Sequence, residues 1–146
     1  MGVGNSDLRV ILRLRRSGVL PEKFSVADVG AQQLSNDVLR RPRIMAALGK
    51  AFGVPPRNFG TTSRAGKDLP PDAPYARHFW DWLGCPYIAI DIDGSPQSIP
   101  LDLNFDEVPE EHRGRYHLVM NLGTTEHVAN QNQAMKIIHD LTAVGG

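Results

Sequence analysis

The stretch Phe24-Ser-Val-Ala-Asp28-Val-Gly30-Ala-Gln32-Gln-Leu34 reads as a buried strand that runs out at an acid and a glycine, then turns toward a helix. Val26, Ala27 and Val29 are small or β-branched, as suits a strand covered on both faces. Gly30 opens backbone conformations closed to other residues and lets a ligand come close. In open α/β sheets, ligands bind beyond the carboxyl ends of the strands, where strand order reverses. Asp28 and Gly30 are therefore the first candidate site residues.

Three more strands follow. Tyr87-Ile-Ala-Ile-Asp91-Ile-Asp93 is the second, ending in two acids, with Gly94-Ser95-Pro96 as its turn. Ser98-Ile-Pro-Leu-Asp102-Leu-Asn104 is a shorter third, and Pro100 marks it as an edge. Tyr116-His-Leu-Val-Met-Asn121-Leu122 is the fourth, with Gly123 to His127 as its exit loop.

Helical signals fill the gaps. Ser35, Asn36 and Asp37 offer caps, and Pro42 either opens or kinks the main helix. Ile44, Leu48, Ala51 and Phe52 share one face, and Gly53 with Pro55 ends it. Residues 54–71 are rich in Pro, Gly, Ser and Thr and read as a loop. Asp72 is expected to cap the next helix, with Pro74 in its first turn. Tyr75, Phe79, Trp82 and Leu83 then follow at helical spacing, and the aromatics read chiefly as core. The last helix runs from about Asn130 to Leu141, with Ala134, Ile137, Ile138 and Leu141 on one face. The alternation implies an α/β fold, a mostly parallel sheet with helices on both faces. Residues 1–23 form an approach segment, open to helix or edge strand, and 24–146 form the domain.

Sixteen basic side chains balance sixteen acidic ones. No global field therefore draws nucleic acid or anionic lipid, and the Arg13–Arg16 cluster, without interleaved aromatics, reads as a solvated face rather than a nucleic-acid patch. The single cysteine, Cys85, rules out an internal disulfide and suits a reducing compartment. No apolar run approaches the ~20 residues that span a bilayer, and no signal-type apolar segment opens the chain. The expectation is a cytoplasmic protein with no membrane or nucleic-acid partner.

Asp28, Asp91 and Asp102 end three predicted strands and Asn121 ends the fourth, so a parallel sheet would gather them on one edge. A carboxylate after the second strand is placed to accept two hydrogen bonds from a ribose diol. One after the third suits an adenine amino group or a turn cap. Each acid taken singly fits a loop or helix cap equally well.

In this order and spacing, Val-Ala-Asp28-Val-Gly30, Ile-Ala-Ile-Asp91-Ile-Asp93, Leu-Asp102-Leu-Asn104 and His-Leu-Val-Met-Asn121…Glu126-His127-Val128 resemble the class I S-adenosylmethionine-dependent methyltransferases, from Phe24 to Gly146. The resemblance implies a Rossmann-like fold with S-adenosylmethionine as cofactor and no metal. It places Asp28 and Gly30 beside the methionine part, Asp91 on the ribose hydroxyls and Asp102 on adenine. Gln32, Ile92, Leu103 and Asn121 flank these as further cofactor positions. Glu126 and His127 are the nearest general-base candidates for an oxygen acceptor on a small molecule such as a sugar.

The chain also departs from that pattern. Gln32 and Leu34 stand where the family turn carries glycine, and His117 stands where an aspartate often opens the fourth strand. The family fold has seven strands, and the resemblance covers only the first four. The expectation is a C-terminally incomplete domain: a fragment, a truncated product, or a chain whose strand four is covered by a second copy in a homo-oligomer or by another partner.

Two other readings stay open. Ile88-Ala-Ile-Asp91-Ile-Asp93-Gly94-Ser95 resembles the opening motif of haloacid dehalogenase-type phosphatases, with Asp91 as nucleophile, Asp93 as acid/base and magnesium between them. That motif belongs on the first strand of its core, whereas here it falls on the second. The other is a methyltransferase-like binding module without turnover. A dinucleotide oxidoreductase is disfavoured, because Gln32-Gln33-Leu34 supplies no glycine-rich turn for a pyrophosphate.

Overall fold

A computed structural model describes residues 2–40, 42–60, 73–95 and 98–146. Asp72 and most of the 54–71 loop lie outside them. The chain forms two compact units, one of Met1–Glu22 and Gln32–Gly84, the other of Lys23–Ala31 and Cys85–Gly146. Among the described residues no helix is long and apolar enough to cross a membrane.

The first unit is mainly helical. β1 (Gly2–Val3) pairs in parallel with β3 (Gln33–Leu34), two residues each. The approach segment is thus both strand and helix, because α1 (Asn5–Ser17) follows at once. The Asp7 carboxylate accepts the Gly4 N–H at 2.8 Å and satisfies a donor at the helix start. Leu8, Ile11 and Leu12 form its buried face, against α3 (Pro42–Phe52). Proline at the first position of α3 removes an N–H that would have no helical partner.

Before α3 comes one turn of helix, α2 (Asn36–Leu39). α4 (Ala76–Leu83) starts after Pro74, with Tyr75 rather than Asp72 at its cap position and so three residues later than the sequence suggests, and buries Phe79 and Trp80 completely. Trp82 stays half-buried and donates its indole N–H to the Pro55 carbonyl at 2.8 Å.

The second unit is the Rossmann-like α/β sheet. Its strands are β2 (Val26–Val29), β4 (Tyr87–Ile90), β5 (Ser98–Ile99) and β6 (Leu118–Asn121), all parallel, in the order β5-β4-β2-β6. Within this unit that is the third, second, first and fourth strand in chain order, the order of a doubly wound nucleotide-binding half. α5 (Gln131–Leu141) covers one face, where Ala134, Ile137 and Leu141 meet Ala27, Val29 and Ile90.

The third strand is shorter than its apolar pattern implies. Pro100 has no N–H to donate, so the ladder stops at Ile99. Leu101 and Leu103 then drop into the α5 core. Beyond α5 the chain returns beside Tyr116, ahead of β6, where Thr142 bridges Tyr116 in parallel and the Ala143 N–H reaches the Tyr116 carbonyl at 2.9 Å.

Candidate functional site

β2 has β4 on one side and β6 on the other, so the chain leaves the first strand in both directions. In such an arrangement the carboxyl end of the first strand is where ligands bind. Gly30 lies there, with φ +93°, and its N–H donates to the Ile90 carbonyl at 2.7 Å. A side chain at that φ is strained, so Gly30→Val is expected to lower stability by about 1–3 kcal/mol in a thermal melt.

Asp91, half-buried at the end of β4, accepts the Ala31 N–H on Oδ2 at 2.8 Å. The acid thus clasps the exits of the first two strands. Ile92 beside it is 66 % exposed, an apolar surface at the same edge. Asp93 is exposed. Its Oδ1 accepts both the Oγ–H (2.6 Å) and the N–H (2.8 Å) of Ser95, which together hold its carboxyl below the usual range.

Asp28 is not a strand tip. Val29 ends β2, and Asp28 lies within the strand, wholly buried on the face opposite α5. The Tyr87 hydroxyl donates to Oδ2 at 2.9 Å, while Oδ1 has no partner among the described residues. Burial pushes this carboxyl up to about 7, against the smaller downward pull of the Tyr87 bond.

Asp102 also falls outside a strand. Its Oδ1 accepts the N–H and side-chain amide of Asn104 at 2.8 and 2.9 Å, a local turn cap. Leu103 is buried in the core under α5. On β6, the Asn121 side-chain Oδ1 accepts the Thr124 and Thr125 N–H groups, and its Nδ2 donates to Thr125 Oγ1 at 2.7 Å. Glu126 and His127 form the exposed turn that follows, 3.6 Å apart. Gln32 belongs to the first unit, where its side-chain oxygen is buried without a partner among the described residues.

The second unit therefore gathers Gly30, Asp91, Ile92 and Asn121 around one sheet edge, with Glu126 and His127 just beyond β6. Two contributors carry no sequence signal. Tyr87 reaches Asp28 only because the register pairs Val26 with Tyr87 and Asp28 with Ala89. Asn104 fastens its turn to the start of α5 by accepting the Ala129 and Asn130 N–H groups at 3.0 Å. Among the described residues no three His, Cys, Asp or Glu side chains are grouped to hold a metal ion.

These features define a parallel α/β sheet whose first two strand exits are clasped together by an acid at its carboxyl edge. Comparison of the chain with protein-family models, curated proteins and solved structures finds no match to any of them.

Proposed function

We propose that the chain is an S-adenosylmethionine-dependent methyltransferase acting on a small-molecule acceptor in the cytoplasm. The observation that carries this reading is Asp91 at the end of the strand beside β2, fixed by the Ala31 N–H at 2.8 Å. A carboxylate held there accepts a ribose diol by charge-assisted hydrogen bonds. Ile92 offers apolar surface to a purine, and Gly30 allows close approach of the cofactor's methionine end.

The residues fit this cofactor better than a dinucleotide. A sulfonium nucleoside carries no phosphate and does not need the glycine-rich anion nest that Gln32-Gln33 cannot form. When bound, the cofactor supplies an electrophilic methyl group. The chain's part is to hold the acceptor in line with it, and Glu126 or His127 would take a proton from a hydroxyl acceptor. Cys85, the single cysteine and buried, suits a reducing compartment. A second copy or another partner would pair along the outer edge of β6.

Calorimetric titration with S-adenosylhomocysteine tests the reading. Saturable binding is expected, weaker by about 1–3 kcal/mol in Asp91→Ala. A folded wild-type chain that binds none overturns it.

A further inference from the structure

The neutral total charge conceals a strong segregation. The unit of Met1–Glu22 and Gln32–Gly84 carries twelve of the sixteen basic residues and six of the sixteen acidic ones. On its surface three grooves adjoin, of about 330, 540 and 660 Å³. Arg9 lines the first two and Arg40 the last two. Arg13 and Arg16 continue the line at one end, Arg43 lies in the middle, and Arg57 stands at the other end. Among the described residues no carboxylate lines any of the three. The nearby acids Asp7 and Asp37 are turned to the Gly4 and Asn5 N–H groups.

Arg9, Arg13 and Arg16 recur at i, i+4 and i+7, so they share one exposed face of α1. They form no ion pair among the described residues, and like charges at this spacing destabilise a helix. Arg15 is different. It lies over the Phe52 ring and donates to the Ala51 and Glu22 carbonyls, as a packing residue does. At the far end the Arg57 guanidinium lies 5.0 Å over the Phe59 ring, which is braced edge-on by Trp82.

We propose that this arginine-lined furrow binds single-stranded nucleic acid, with the guanidiniums tracking the phosphates and Phe59 with Arg57 serving as a stacking platform. A linear polyanion matches a concave line of six arginines ending at an aromatic ring. A flat lipid surface would meet few of them. The fit concerns the phosphodiester chain and is independent of the methyl-transfer site.

Fluorescence anisotropy of a labelled oligodeoxythymidine of about 20 nucleotides, titrated with the full chain at several salt concentrations, tests this. Saturable binding that weakens steeply with salt is expected. Replacing Arg9, Arg13 and Arg16 together by alanine should weaken it at least tenfold at low salt and flatten the salt slope by about 2. Arg115→Ala, in the other unit, should leave binding unchanged. A matching thermal melt confirms that the triple variant is folded. If it is not, Arg43→Ala alone should flatten the slope by about 0.7.

Absence of saturable wild-type binding overturns the proposal, and so does a folded triple variant that binds as the wild type does. Binding to phosphatidylserine-containing vesicles without binding to the oligonucleotide would assign the furrow to a membrane surface. Salt-sensitive self-association without oligonucleotide binding would assign it to a second copy.

Discussion

Between about pH 4 and pH 7 the chain is expected to lose about 4 kcal/mol of stability through Asp28 alone, and Asp28→Asn is expected to abolish that loss. The buried carboxyl holds its proton up to about 7, whereas in the unfolded chain it releases it near 3.8. In that window the native state binds more protons than the unfolded state, so stability falls as pH rises. Below the unfolded value Asp28 is neutral in both states and its contribution is complete. Above the folded value the full penalty of an ionised, half-partnered carboxylate is present.

Asparagine cannot ionise, and its carbonyl still accepts the Tyr87 hydroxyl. Its NH₂, however, lies where Oδ1 has no partner, which costs about 1–3 kcal/mol at every pH. The variant should therefore equal or trail the wild type near pH 4 and exceed it near pH 8. Urea denaturation of both proteins across this range reads the difference. Asp93 and Glu107, whose carboxyls are lowered, lose their stabilisation only as pH falls below the ordinary carboxylate range, and both proteins share that behaviour. A wild-type-minus-variant difference that stays flat with pH would remove Asp28 as the cause.

Asp28 also shows where sequence reasoning stopped. An acid followed by valine and glycine reads as a strand tip, because isolated charges are rarely buried. Burial arises from the register with β4, which brings Tyr87 within reach, and register is not a local property. Asp91 was legible. It follows an unbroken apolar run and precedes a turn, and the structure puts it at a strand end.

Asp102 was half-legible. The pattern Asp-x-Asn marks a side-chain turn as readily as a strand end, and Pro100 two residues earlier favoured the turn. α5 was read almost to the residue, since Asn130 caps it and the apolar positions keep one phase over three turns. β1 and β3 were not found, because two-residue strands have no periodicity to detect. The arginine furrow was hidden for another reason. Composition adds charges without position, and only the fold separates the basic residues from the acidic ones.

Leu141→Ala is expected to lower stability by about 2–5 kcal/mol, while Met135→Ala, on the same helix, should change it by no more than about 0.5 kcal/mol. Leu141 is fully buried at the last turn of α5, in the cluster that contains Ala27, Val29, Ile90 and Tyr116. Its backbone carbonyl also accepts the N–H groups of Arg115 and Tyr116 at 3.1 and 3.0 Å, so the chain around it is held where it is. A cavity opened there cannot easily collapse, and the loss should lie toward the upper part of the range. Met135 is 48 % exposed and does not belong to that cluster.

The readout must come from the sheet unit itself. Trp80 and Trp82 both belong to the other unit, so tryptophan fluorescence reports on that one. Far-UV circular dichroism in urea should therefore be followed alongside it. Comparable small losses in the two variants would mean that α5 does not cover the sheet through this face, and would withdraw the parallel, helix-covered core that positions Gly30 and Asp91.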